Sequence, residues 1–140
     1  MARFTIPGRL PGLNEYIAAE RRHRQQAAKL KRDTETRIRL AAAGPLRGVR
    51  FERPVVMHYA WFEPDRRRDK DNIAFARKFI QDALVQLGVL RGDGWRDVEA
   101  FADSFAVDPD NPRVEVEIEL FNTQDKNSMF EEEQHDIRKE

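Results

Sequence analysis

Asp69 and Asp71 stand two residues apart in the stretch PDRRRDKDN, directly behind Arg66, Arg67 and Arg68. In an extended segment, residues two apart point to the same side, so both carboxylates can face one point. Mg²⁺ is a hard cation that commonly takes one or two carboxylates, with water and substrate phosphate completing its shell. Guanidinium forks match phosphate oxygens in pairs, so the arginines suit a phosphodiester backbone beside such an ion. Asp93, in the turn Arg91-Gly92-Asp93-Gly94, can join the pair if the flanking strands are neighbours. Three carboxylates meeting there would repel one another without a cation.

Each of these residues also has a plainer reading. Aspartate at a helix start accepts backbone N–H bonds and suits the helix dipole, and an arginine-rich loop can simply neutralise its own acids. A calcium loop does not fit, because its fifth and sixth positions fall on Ile73 and Ala74 rather than an oxygen ligand and glycine. Lys78 and Asp82 are four apart, either a weak surface ion pair or a lysine that stabilises charge on a reacting phosphate. Trp95 is expected as a packing anchor rather than a base-stacking platform. His23, His58 and His135 make no zinc spacing. No glycine-rich phosphate loop, nucleophile elbow or Ser/His/Asp arrangement is present. The two aspartates of VDPDNP belong to a proline-bounded turn.

The elements that must position these groups follow from periodicity. Arg3 to Ile6 reads as a strand stopped by Pro7-Gly8. A long helix is expected from Asn14, as its N-cap, to Ala43, with the thin stripe Tyr16, Ala27, Leu30, Thr34, Ile38 and Ala41. Arg21, Arg24, Arg32 and Arg39 project from another side, with Arg22, Lys29 and Lys31 at its margins. The nearly continuous apolar run Pro54–Phe62 predicts a strand buried on both faces. A second helix is expected from Asp71 to Leu87, closed by Gly88. Strands follow near Val98–Val107 and over Val114–Leu120, where Val114, Val116 and Ile118 alternate with glutamates. The order β-α-β-α-β-β predicts an α+β domain with a small mixed sheet and packed helices. It covers residues 1–121, with 122–140 a polar, acidic tail expected to be mobile.

A chain of 140 residues is expected to form one domain. Without cysteine it has no disulfides or thiolate metal sites, which fits a reducing compartment. The opening residues hold no long apolar run, so neither a signal peptide nor a membrane span is expected, and a cytoplasmic protein is. The net charge of zero conceals segregation. Residues 1–50 carry 12 basic and 4 acidic side chains, whereas residues 101–140 carry 4 and 12. Such segregation suggests a basic face for a polyanion and an acidic end elsewhere.

PDRRRDKDNI, followed by a helix ending in QDALVQLGVL and then an aspartate in a turn, resembles the RusA family of Holliday junction resolvases. The family pattern is a proline and an arginine-rich loop, D-x-D-N, a helix with a lysine and D-A-L, and an aspartate about eleven residues on. Asp82 to Asp93 has that spacing, and the resemblance spans roughly residues 3–120. It implies a homodimeric, Mg²⁺-dependent endonuclease, with Mn²⁺ as a substitute ion and no small-molecule cofactor. Its substrate would be a four-way DNA junction, resolved by paired symmetric nicks in recombination and repair. Asp69, Asp71 and Asp93 would be the metal-binding catalytic carboxylates and Lys78 the catalytic lysine. The stretch before that lysine is about three residues longer than in the family pattern, which leaves Lys78 or Arg77 for the part. The expected DNA contacts are Asn14, Arg21, Arg22, Arg24, Lys29, Arg66, Arg67 and Arg68. Two other readings stand beside this one: a branched-DNA-binding module that does not cut, and a nuclease for flaps or forks.

Overall fold

The structure, a computed structural model, describes residues 1–122. Four strands, β1 (Ala2–Pro7), β2 (Val55–Glu63), β3 (Val98–Val107) and β4 (Arg113–Leu120), form one open mixed sheet in the order β1-β4-β2-β3. β4 is antiparallel to both β1 and β2, and β2 and β3 run parallel. Four helices, α1 (Leu13–Arg22), α2 (Arg24–Ala43), α3 (Lys70–Ala74) and α4 (Arg77–Gln86), complete the domain. The α+β class and the mixed sheet agree with the expectation from sequence. The acidic tail lies, apart from Asn122, outside the described residues.

Strand alternation sends Phe4, Ile6, Val55, Met57, Tyr59, Trp61, Val114, Val116 and Ile118 into a single core with Ile38, Phe79, Ile80 and Leu84 from the helices. β2 departs from expectation. Its apolar run predicts burial on both faces, but Val56, His58, Ala60 and Phe62 are only half-buried. Their neighbours on the adjoining strands are Ala100, Ala102, Ser104 and Ala106 on one side and Glu119, Glu117, Glu115 and Arg113 on the other. That face of the sheet is left open.

Both expected helices are interrupted. The first divides at His23, whose backbone is extended and whose Nδ1 accepts the Gln25 N–H at 3.0 Å, capping α2. The apolar stripe is empty between Tyr16 and Ala27, and α1 buries no residue completely, so packing does not hold a straight helix there. The second is tightened rather than broken. Phe75 and Ala76 keep helical backbone, but Ala76 N–H and Lys78 N–H bond three residues back, to Ile73 and Phe75. It ends as expected at Gly88, with φ +78°: Gly88 N–H bonds to Val85 O and Val89 N–H to Leu84 O.

Candidate metal centre and nucleic-acid interface

The parallel pair β2 and β3 is joined through α3 and α4, and the PDRRRDKDN stretch leaves the carboxyl end of β2. Carboxyl ends of parallel strands are where open α/β sheets place ligands. A cavity of about 690 Å³ lies there, lined by Glu63, Arg66, Asp69, Asp71 and, from β3, Phe105 and Val107. Asp69 ends the loop with extended backbone, and Asp71 sits in the first turn of α3. Both carboxylates are exposed and make no hydrogen bond or ion pair among the described residues. Asp69 stands at the N-cap position of α3 without a side-chain capping bond. The capping alternative is therefore not realised by its carboxylate.

The three arginines have three different situations. Arg66 is exposed, lines the cavity and has no side-chain partner among the described residues. Arg67 is exposed and pairs loosely with Asp65 at 3.6 Å, while its N–H donates to Asp65 Oδ1 at 2.9 Å. Arg68 turns inward, contrary to its expected place on the DNA face. Its Nε donates to Glu63 Oε1 at 2.8 Å and its Nη2 to Glu63 Oε2 at 3.0 Å. Nη1 donates to Leu10 O at 3.0 Å and lies 3.4 Å from Glu15 Oε1. With both side chains about 10% exposed, the Arg68 fork neutralises a nearly buried carboxylate and ties the Leu10 loop to the site.

Asn72 completes this joint. Its Oδ1 accepts the Asn14 N–H at 2.9 Å and so caps α1 from another part of the chain. Gly12 sits so close that a Cβ there would lie 2.5 Å from Asn72 Oδ1 and 2.8 Å from Asn72 O. Tyr16 packs on Phe75 and Phe79, with ring centroids 5.5 and 6.0 Å apart. Asn14 is the second residue of α1, not its cap. The basic residues expected on one helix face are divided by the bend at His23. Arg22 and Lys29 line the groove between α1 and α2, and Arg21 and Arg24 are exposed at the bend. Glu15 and Asp33 line the same groove, and Lys29 lies 4.0 Å from Asp33.

Asp93 occupies a second cluster. Lys78 Nζ donates to Asp93 Oδ2 and Asp82 Oδ1, each at 3.1 Å. Lys31 from α2 reaches Asp82 Oδ2 at 3.5 Å and Glu35 Oε1 at 3.6 Å, so charges alternate from Glu35 through to Asp93. The hydrogen bond from Lys78 holds the Asp93 carboxyl below its usual range, and that same bond raises Lys78. Asp71 and Lys78 are seven residues apart, roughly 10 Å of helical rise. No group of three or more His, Asp or Glu side chains among the described residues is gathered as metal ligands. Arg77, the other candidate for the catalytic cation, donates to Asp103 Oδ2 at 2.5 Å and stacks on Phe101.

Glu63 had a sequence signal that composition conceals. Period-two alternation from Val55 carries it onto the inward face, where a carboxylate needs a cation. Asn72 was marked only as the last residue of the D-x-D-N pattern, and its bond to Asn14 had no signal because that partner is 58 residues away. Among the described residues no helix is long and apolar enough to cross a membrane. No protein-family model matches the chain, and no curated protein matches it.

Proposed function

We propose that the chain is a Mg²⁺-dependent endonuclease of branched DNA that works as a homodimer and resolves four-way junctions by paired nicks. The observation that carries this reading is the pair of unpartnered carboxylates, Asp69 and Asp71, lining one cavity beside the unpaired Arg66. Two carboxylates with open space around them fit a magnesium ion, which keeps water and phosphate in its remaining positions. Bound by Asp69 and Asp71, the ion would supply Lewis acidity toward a phosphodiester oxygen. Arg66 at the cavity and the exposed Arg67 next to it in the chain hold backbone phosphates, and Arg68 keeps Glu63 from competing with Asp69 and Asp71 for cations. Lys78, which holds Asp93 in this structure, would supply positive charge toward a reacting phosphate once free of that carboxylate. A two-fold dimer suits the pseudo-two-fold junction by setting one site on each of two equivalent strands.

The engagement of Asp93 by Lys78 favours a second reading, a module that binds branched DNA without cutting. One assay separates the two: a labelled four-way junction and a matching linear duplex, each with Mg²⁺ or EDTA. Symmetric nicks in the junction alone, dependent on Mg²⁺, are expected, and Asp71→Asn is expected to abolish them while junction binding persists. Tight binding without cutting under Mg²⁺ or Mn²⁺ would establish the binding module. Undiminished cutting by Asp71→Asn would remove Asp71 from the site.

A further inference from the structure

Trp95 is 98% exposed, whereas the other tryptophan, Trp61, is 2% exposed in the core. The expectation that Trp95 anchors packing is thereby overturned. A side chain of this size usually buries most of its rings, so an indole left wholly in water calls for a partner. The exposure does not come from a loose loop. Gly94 O accepts from both Asp97 N–H and Val98 N–H, closing a turn with Trp95 at its tip. Arg91 fastens that turn through Asp97 Oδ1 at 2.8 Å, Glu52 O at 2.9 Å and Arg96 O at 3.3 Å.

The surroundings indicate what the indole meets. Arg96, next to it, is exposed and its side chain has no partner among the described residues. Arg53 follows Glu52, which Arg91 ties to the turn, and is equally exposed and unpaired. Two residues before Trp95, Asp93 is held by Lys78, whose side chain is 58% exposed. A flat aromatic surface with free arginines beside it matches a nucleobase and its phosphates. In duplex DNA the base faces are already stacked on one another, so only an unstacked base offers its face.

We infer that Trp95 is a stacking platform for an unstacked nucleobase, with Arg96 and Arg53 holding the flanking phosphates, so that the chain selects branched over linear DNA at this turn. The inference rests on the nucleic-acid part of the proposed function and names the feature of the substrate that is read. The probes are a four-way junction, a single-stranded oligothymidine and a linear duplex, all titrated in EDTA so that no cutting intervenes. With Trp61 buried, quenching of tryptophan emission on binding reports Trp95.

Junction and single strand are expected to quench the emission. Trp95→Ala is expected to remove the quench and weaken junction affinity about 5- to 150-fold, the range by which one stacked base strengthens binding. Trp95→Phe should retain most of that affinity, and duplex affinity should change little in either variant. Saturable junction binding with unchanged emission, or unchanged affinity in Trp95→Ala, overturns the inference and leaves the nuclease reading intact. Absence of binding to any probe overturns both. Emission that shifts with protein concentration alone shows a second copy covering Trp95 and also overturns it.

Discussion

Arg68→Met tests whether the arginine-rich loop is a surface feature or part of the frame. The substitution keeps an apolar stem of similar length but removes the fork that meets Glu63, Leu10 O and Glu15. Glu63 would then stay almost buried with only Arg9, 3.7 Å away and partly exposed, as a cation. Removing one partner of a buried ion pair costs about 3–5 kcal/mol, and the residual Arg9 contact places the expected loss near the lower end, about 3 kcal/mol. Unfolding entropy near 2.1 cal/mol/K per residue gives about 0.25 kcal/mol/K for a domain of roughly 120 residues. The expected fall in Tm is therefore about 12 °C. Thermal unfolding followed by circular dichroism measures it, with Arg66→Ala as the control, expected to leave Tm unchanged within a degree or two. Combining Glu63→Leu with Arg68→Met should recover much of the loss, because an apolar pair carries no desolvation penalty. A fall under about 3 °C for Arg68→Met, or no recovery in the double variant, would refute the assignment of Arg68 to the frame.

Gly12→Ala should destabilise the domain by about 1–3 kcal/mol through overpacking, since its Cβ meets Asn72 O, a backbone atom, at 2.8 Å; urea unfolding checks this, and an unchanged midpoint would show that the α1 joint yields freely. Arg66→Ala should weaken DNA binding with a salt dependence shallower by about one phosphate contact, whereas an unaltered slope would take Arg66 off the backbone. Lys78→Met should let the Asp93 carboxyl titrate upward toward its ordinary value of 3.8, as followed by carboxyl NMR. The sign for stability follows from the two shifts. Asp93 is lowered in the fold, so its contribution is present above 3.8 and is lost as pH falls through the depressed value. Lys78 is raised, so its contribution is present below 10.5 and is lost as pH rises through the raised value. The advantage of the native chain over Lys78→Met should thus be flat through neutral pH and shrink in acid, and an advantage that grows in acid would contradict the pairing.

Much of the frame was legible because its signals are local. The alternation of Val114, Val116 and Ile118 with glutamates sets β4 one-sided at any register. Gly88 supplies the positive φ that ends α4. The break at His23 was foreshadowed by the gap in the stripe between Tyr16 and Ala27, but helix propensity alone runs through it. Asp69 and Asp71 both line the cavity, but not by the extended spacing expected of them: Asp69 is extended, whereas Asp71 already lies in the first turn of α3.

Long-range packing decided the rest. Arg66, Arg67 and Arg68 are chemically identical in sequence, and Arg68 becomes structural through the inward-facing Glu63 five residues before it together with Leu10 and Glu15, 58 and 53 residues away. Lys78 meets Asp93 because the turn after α4 folds back along the helix. Trp95 remains in water because that turn is closed by Arg91 and backbone bonds rather than by the core. Residue types and local spacing thus determined which groups could bind a cation or a phosphate. Partners far apart in the chain, such as Asp93 for Lys78 and Asp103 for Arg77, were set by tertiary structure, since an ion pair depends on distance in space and the sequence records only distance along the chain.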